Sequence, residues 1–121
     1  MDLVKKSIEI LDKVNAKDIS VFDFKETSPY YDYFVIGTVN DRAGQAAVGY
    51  FGDELRDYIR HVEGKGNVGW VLIDLGDVVV HLFKEEDRRF YGFDQRFMEF
   101  KKWLSNKFMT SYNKMWTTKN Y

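Results

Sequence analysis

The sequence predicts an α/β fold, a mixed β-sheet flanked by helices, and three patterns carry that prediction. Apolar residues recur at i, i+3, i+4 over 2–15 and 41–61, as on the buried side of amphipathic helices. Tyr33-Phe34-Val35-Ile36-Gly37-Thr38-Val39 is β-branched and aromatic, the composition of a buried central strand. Trp70 to Leu75 and Val78 to Phe83 flank Gly76-Asp77, two strands joined by a two-residue turn.

Leu3, Val4, Ser7, Ile8, Leu11 and Val14 set the first helix, 2–15. Asp2 stands where an N-cap carboxylate accepts from free first-turn N–H groups. Ile19, Val21 and Phe22 mark a strand near 18–24. Lys25 to Tyr30 holds the only proline, Pro29, and reads as a loop before the strand 33–39. Asn40-Asp41 caps the second helix, in which Ala43, Ala47, Tyr50, Phe51, Leu55, Tyr58 and Val62 repeat. Gly44, Gly49 and Gly52 each cost that helix roughly 1 kcal/mol relative to Ala. Close approach of the helix to a sheet is the use expected for them. A phosphate-binding loop is not, since no Lys-Ser/Thr follows. Glu63 to Gly69, with three glycines, reads as a flexible loop.

Gly at the first central position of the next turn favours type II′ and fixes the hairpin register. Trp70 faces Phe83, Val71 Leu82, Leu72 His81, Ile73 Val80, Asp74 Val79 and Leu75 Val78. Opposed residues share a face. Val71, Ile73, Leu75, Val78, Val80 and Leu82 form an aliphatic core face. Trp70, Leu72, Asp74, Val79, His81 and Phe83 form a mixed, aromatic one, which is either covered by a helix or used for docking. Glu85 to Arg89 reads as a charged loop and Phe90-Tyr91 as a short extension. Asp94 caps a third helix with Phe97, Phe100, Leu104 and Phe108 on one side. One domain over 1–109 and a loosely held tail over 110–121 are expected, and there is no internal repeat.

Composition narrows the function. The chain has 121 residues, 45% hydrophobic and 17% aromatic, enough large side chains for one packed domain. It lacks cysteine, which excludes disulfides, thiolate metal sites and Cys nucleophiles. No apolar run reaches the ~18 residues of a membrane span. With an acidic, charge-interrupted N-terminus, a cytoplasmic location and no membrane partner are expected. Residues 1–93 carry 12 Lys+Arg against 17 Asp+Glu, whereas 94–121 carry 6 against 2. An acidic body repels nucleic acid and suits a basic protein. The basic end could touch phosphate, though it also reads as a solvated Lys-rich surface. His61 and His81 have no partner at metal-ligand spacing, and Asp53, Glu54 and Asp57 read as a solvated helix face. No nucleophile elbow occurs. No cofactor is expected.

Several blocks together resemble the Iojap family, the ribosomal silencing factors called RsfS. A helix leads into Lys17-Asp18-Ile19-Ser20-Val21-Phe22-Asp23. Tyr31-Asp32-Tyr33-Phe34-Val35-Ile36 and Asn40-Asp41-Arg42 are similar to that family's "ADYFVI…SDR". His61-Val62-Glu63-Gly64, then Gly69 to Phe83, resembles "HVEG…WVLLDYGDVVVHVF", and Arg89-Phe90-Tyr91 matches its short continuation. The likeness covers about residues 3–97. Gly37 and Val39 depart from it, and nothing is carried over to the last ~20 residues. The resemblance implies a factor that binds the large ribosomal subunit through ribosomal protein L-fourteen, blocks subunit association and lowers translation. Family members in organelles also act in large-subunit biogenesis. It implies a nucleotidyltransferase-like fold without the catalytic carboxylates, because the chain has neither Gly-Ser nor Asp-x-Asp/Glu. A non-enzymatic role follows, the alternative being a small nucleotide-acting enzyme. A minor rRNA contact by the basic C-terminal segment and a homodimer are left open.

The surface expected to bind the partner is the mixed hairpin face and its neighbours: Trp70, Leu72, Asp74, Asp77, Val79 and His81, with Asp32, Tyr33, Glu63 and Tyr91. Exposed Trp and Tyr dominate interface hot spots, and carboxylates beside them complement a basic ribosomal protein.

Overall fold

A computed structural model describes residues 2–64 and 69–104. Helix α1 (Leu3–Lys13) begins where Asp2 Oδ1 accepts from the Lys5 N–H at 3.0 Å. It ends at Asn15, whose φ of 61° is the left-handed conformation Asn tolerates at a helix end. Strands β1 (Lys17–Asp23) and β2 (Tyr33–Thr38) pair antiparallel, with Val21 opposite Val35 and Phe22 opposite Phe34. Asn40 Oδ1 caps α2 (Asp41–Glu54) through the Ala43 N–H at 2.8 Å.

The second helix is shorter than its periodicity predicts. Leu55 turns into the core at φ −127° and leaves helical space. A single 3₁₀ turn over Arg56–Tyr58 follows, and His61–Glu63 becomes β3, paired with β4. His61, Val62 and Glu63 are therefore an edge strand, not the end of a helix and the start of a loop. Of the α2 glycines, Gly44 is buried, and a Cβ there would sit 3.4 Å from Val39. Gly49 and Gly52 face open space, so close packing does not explain them.

The hairpin of β4 (Trp70–Asp74) and β5 (Val78–Phe83) has the expected register throughout. Gly76 takes φ +93°, and the Arg60 guanidinium lies 3.2 Å from where a Cβ would stand. Any other residue at position 76 meets backbone strain and requires the Arg60 side chain to shift by a few tenths of an ångström. The sheet order is β3-β4-β5-β2-β1-β6, antiparallel except between β2 and β5.

Both sheet faces are covered. Under α1 and α2, Val21, Val35, Val71, Ile73, Val80 and Leu82 pack with Ile8, Leu11, Phe51 and Leu55. On the other side Phe22, Phe24, Phe34, Ile36, Val79 and Phe83 pack with Phe93, Phe97 and Phe100. The mixed hairpin face is thus largely a second core, against its reading as an open face.

What covers it departs from the sequence reading. Glu85–Tyr91 is a helix, α3, not a charged loop, with Glu85, Glu86 and Asp87 in its first turn and Arg88 and Arg89 in its last, as the helix dipole favours. Gly92 at φ +60° ends it. The helix expected from Asp94 onward is only α4 (Phe93–Arg96), then a 3₁₀ turn (Met98–Phe100), then β6 (Lys101–Leu104) pairing with β1. Phe93, Phe97 and Phe100 have helical spacing, but they wrap over the Phe24 and Phe34 rings instead of extending a helix. Phe108 and the expected tail 110–121 lie outside the described residues.

Arg88 fastens this cover to the sheet. Its Nε and Nη2 donate to both Asp94 carboxylate oxygens at 2.7 and 2.8 Å. Nη1 donates to the Asp18 carbonyl at 2.7 Å and Thr38 Oγ1 at 2.9 Å, and Nη2 to Ser20 Oγ at 3.0 Å. All five guanidinium N–H groups are used, as a buried arginine requires. The Asp18 carbonyl, which also accepts from Ser20 Oγ at 3.2 Å, lies where β1 is irregular, with Asp18 at φ +50°. Hydrogen bonding to Arg88 holds the Asp94 carboxyl below its usual range.

Candidate functional site

The ten residues expected to bind a partner divide into three groups. Trp70, Leu72 and Asp74 lie half-buried along β4, with Glu63 exposed beside Leu72 on β3 and Tyr91 38% exposed on α3. Asp77, Asp32 and Tyr33 gather at one end of the sheet, where the Asp77 carbonyl accepts from the Asp32 and Tyr33 N–H groups at 2.7 and 3.0 Å. Tyr33 packs on the α1/α2 side, opposite to Trp70, and Lys25 lies 5.1 Å from its ring centre. Val79 and His81 are interior, 8% and 3% exposed. A partner cannot touch these two directly unless the cover opens. Strand alternation places them on the Trp70 face, but it does not report that α4 covers their half of it.

Trp70 is the pivot of the first group. Its ring stacks on Phe83 at 5.0 Å and 27°, and Tyr91 lies 5.0 Å away on the α3 side. Its indole Nε1–H donates to His81 Nδ1 at 3.1 Å. Burial pushes His81 down to about 3, so it is neutral near pH 7 and its proton is on Nε2. Asp74 Oδ1 accepts from the Gly76 N–H at 2.8 Å and braces the turn, a local role that limits its availability to a partner.

Glu63, Gly64, Gly69, Trp70, Leu72, Asp87 and Tyr91 line a groove of about 350 Å³. Aromatic and aliphatic walls carry carboxylates at the rim. Asp87 was missed because 85–89 reads as solvated charge. Read as a helix, the segment sets Asp87 and Tyr91 four residues apart on one face, which is the signal that would have found it. Gly69 gives Asp87 its place, since a Cβ there would collide with the Asp87 carboxylate. Phe90, 81% exposed and 5.3 Å from the Tyr91 ring, extends the apolar surface. The groove has the make-up of a protein hot spot: anchored aromatics beside acidic groups.

A separate cavity of about 280 Å³ lies between the α2 N-terminus and the ends of β2 and β5, with Val39, Val48, Val71 and Leu82 in its walls. A nucleotide would be sought in this kind of crevice. Among the described residues Asp41 is the one carboxylate lining it, and Lys84 pairs with it at 2.8 Å. Among the described residues no group of three or more His, Asp or Glu side chains is placed to hold a metal. No helix of the described residues is long and apolar enough to cross a membrane.

A family model described as "Ribosomal silencing factor during starvation" matches residues 1–118. The chain is 33% identical over 97 residues to a Bacillus subtilis protein named ribosomal silencing factor RsfS, covering 77% of this chain and 82% of that one. A mouse protein named mitochondrial assembly of ribosomal large subunit protein 1 is 27% identical over 95 residues. That match covers 73% of this chain and 42% of the mouse protein. A solved Chromobacterium violaceum protein structure superposes with a TM-score of 0.72 at 27% identity, covering 80% of this chain and 87% of that one.

Proposed function

Because this chain belongs to the RsfS family of ribosomal silencing factors, we propose that it binds the large ribosomal subunit through ribosomal protein L-fourteen and sterically blocks small-subunit joining, repressing translation. The mouse relative's name, an assembly factor of the ribosomal large subunit, supports the same subunit as the partner. The observation that carries the reading is the groove of Trp70, Leu72 and Tyr91 rimmed by Glu63 and Asp87, while Asp32 and Asp77 form a separate acidic patch at the turn end of the hairpin. Of the residues expected from the sequence, Trp70, Leu72, Asp74, Asp77, Asp32, Tyr33, Glu63 and Tyr91 remain the proposed contact set, with Asp87 added. Val79 and His81 act from beneath it. Carboxylates steer a basic surface into register, while the aromatic anchors supply most of the affinity.

The test is co-sedimentation with purified large subunits, with subunit joining followed in sucrose gradients. Trp70→Ala and Asp77→Lys should both remain folded by circular dichroism and each weaken binding by ~1–3 kcal/mol. If both variants, folded, still co-sediment and block joining as the wild type does, the interface lies elsewhere.

A further inference from the structure

His81 is a poor residue for the place it occupies. It is 3% exposed and caged by the rings of Phe34 at 4.5 Å, Phe93 at 4.9 Å and Phe83 at 6.3 Å. Its Nε2 is buried and meets no hydrogen-bond partner among the described residues. An orphaned polar group inside a core is a cost, and a phenylalanine would fill such a cage without it. The single hydrogen bond the His81 side chain makes among the described residues is the one it accepts from the Trp70 indole at 3.1 Å. Trp70 and His81 are diagonal neighbours across the hairpin, since Trp70 pairs with Phe83 and Leu72 with His81. The imidazole therefore reaches the half-exposed indole from below. Packing on Phe83, Tyr91 and Phe93 is non-directional and leaves the ring some freedom about χ1 and χ2. A directional bond to Nε1 removes that freedom.

We propose that His81 is a positioning residue, fixing the Trp70 indole in the orientation that docks and retained for binding, not for stability. The inference rests on the reading of Trp70 as a docking residue. An anchor ordered before the encounter does not lose that freedom on binding, so the gain appears in affinity. Burial also suits His81 to this role, because the neutral ring keeps the Nδ1 lone pair available, whereas an imidazolium would present a second donor to the indole.

His81→Phe separates the two roles. The intact variant should melt at or above the wild-type temperature. In ¹⁵N-labelled protein its Trp70 indole N–H, assigned by its disappearance in Trp70→Phe, should shift upfield and exchange faster with solvent. Its affinity for purified large subunits should fall about tenfold, the scale of a typical hot-spot loss. His81→Asn, which can present an amide oxygen near the Nδ1 position, should recover part of the affinity despite being smaller. Trp70→Ala combined with His81→Phe should bind no more weakly than Trp70→Ala alone, because the positioned group is already gone. Wild-type affinity in His81→Phe, a melting temperature well below wild type, or additive losses in the double variant would each overturn the inference. A wild-type protein that does not bind large subunits at all would overturn the docking reading itself, and this inference with it.

Discussion

Beneath α1 and α2 the sheet buries Ile8, Phe51, Leu55 and Ile73 almost completely, in a layer that is aliphatic except for Phe51 and the half-buried Tyr33. Across the same strands, the layer beneath α3 and α4 is built from Phe22, Phe34, Phe83, Phe93, Trp70 and His81, and it ends in a half-open groove. The first face is sealed by helices of 11 and 14 residues, the second by helices of 7 and 4. Two short helices bury too little apolar surface to hold themselves, since helix stability comes mostly from the packed face. Arg88 supplies the difference by a buried polar clamp. One face thus stabilises the domain, and the other gives up some closure and leaves aromatic anchors near solvent.

The clamp gives the largest expected effect. Arg88→Met should destabilise the protein by about 3 kcal/mol in urea denaturation, because Asp94, Ser20, Thr38 and the Asp18 carbonyl each lose a hydrogen bond, Asp94 keeping, among the described residues, only Lys101 at 3.2 Å and Ser20 and Asp18 only each other. Asp94 is about a third exposed and recovers some hydration, so the lower end of the usual buried-pair range applies. Arg88→Lys keeps the charge but cannot reproduce the five-bond fork, and it should fall between the two. A loss below about 1 kcal/mol would mean that aromatic packing alone holds the second layer.

The same contrast explains what was legible in the sequence. The hairpin was readable to the residue, because Gly76-Asp77 is a local turn signal and every strand residue follows period-two alternation. Helix α1 and strands β1 and β2 were readable for the same local reasons. The segment 85–104 was not. Arg88 looks like solvated charge in a run of Glu, Asp and Arg, and only contacts with Asp18, Ser20 and Thr38, 50 to 70 residues away, make it interior. Phe97 and Phe100 carry helical spacing that tertiary wrapping overrides. For the proposed docking surface, residue types and strand parity placed Trp70 and Leu72 together, whereas Glu63, expected in a loop, is brought beside Leu72 by β3. Parity could not show that α4 covers Val79 and His81, or that α3 brings Asp87 to the groove.

Acid should distinguish the two faces next. His81 has a folded-state value of about 3 against an ordinary 6.5, owing to burial. A depressed histidine contributes stability that is present above the ordinary value and lost as pH falls from 6.5 toward 3, because the unfolded chain takes up the proton first. The Asp94 carboxyl is also lowered, by Arg88, and acts in the same direction only at more acid pH. Between pH 7 and 5 the histidine should remove about 2 kcal/mol of unfolding free energy, at roughly 1.4 kcal/mol per pH unit below 6.5. Urea midpoints at both values measure it, and His81→Phe should flatten the slope. A slope that survives in that variant would place the acid sensitivity outside the second layer.

The smallest effect tests whether function is confined to the aromatic side. Gly49 and Gly52 sit in α2, and a Cβ at either would meet nothing within 4 Å. Alanine lowers the backbone entropy of the unfolded chain and fits a helix without strain, so each substitution should stabilise the protein by about 0.5–1 kcal/mol. Neither residue lies in the groove or at the acidic sheet end, so Gly49→Ala and Gly52→Ala should leave affinity for the large subunit unchanged. A gain in melting temperature together with a loss of binding would show that a partner approaches the bare α2 surface closely. The division of labour between the faces would then fail, because the stabilising side would also be a docking side.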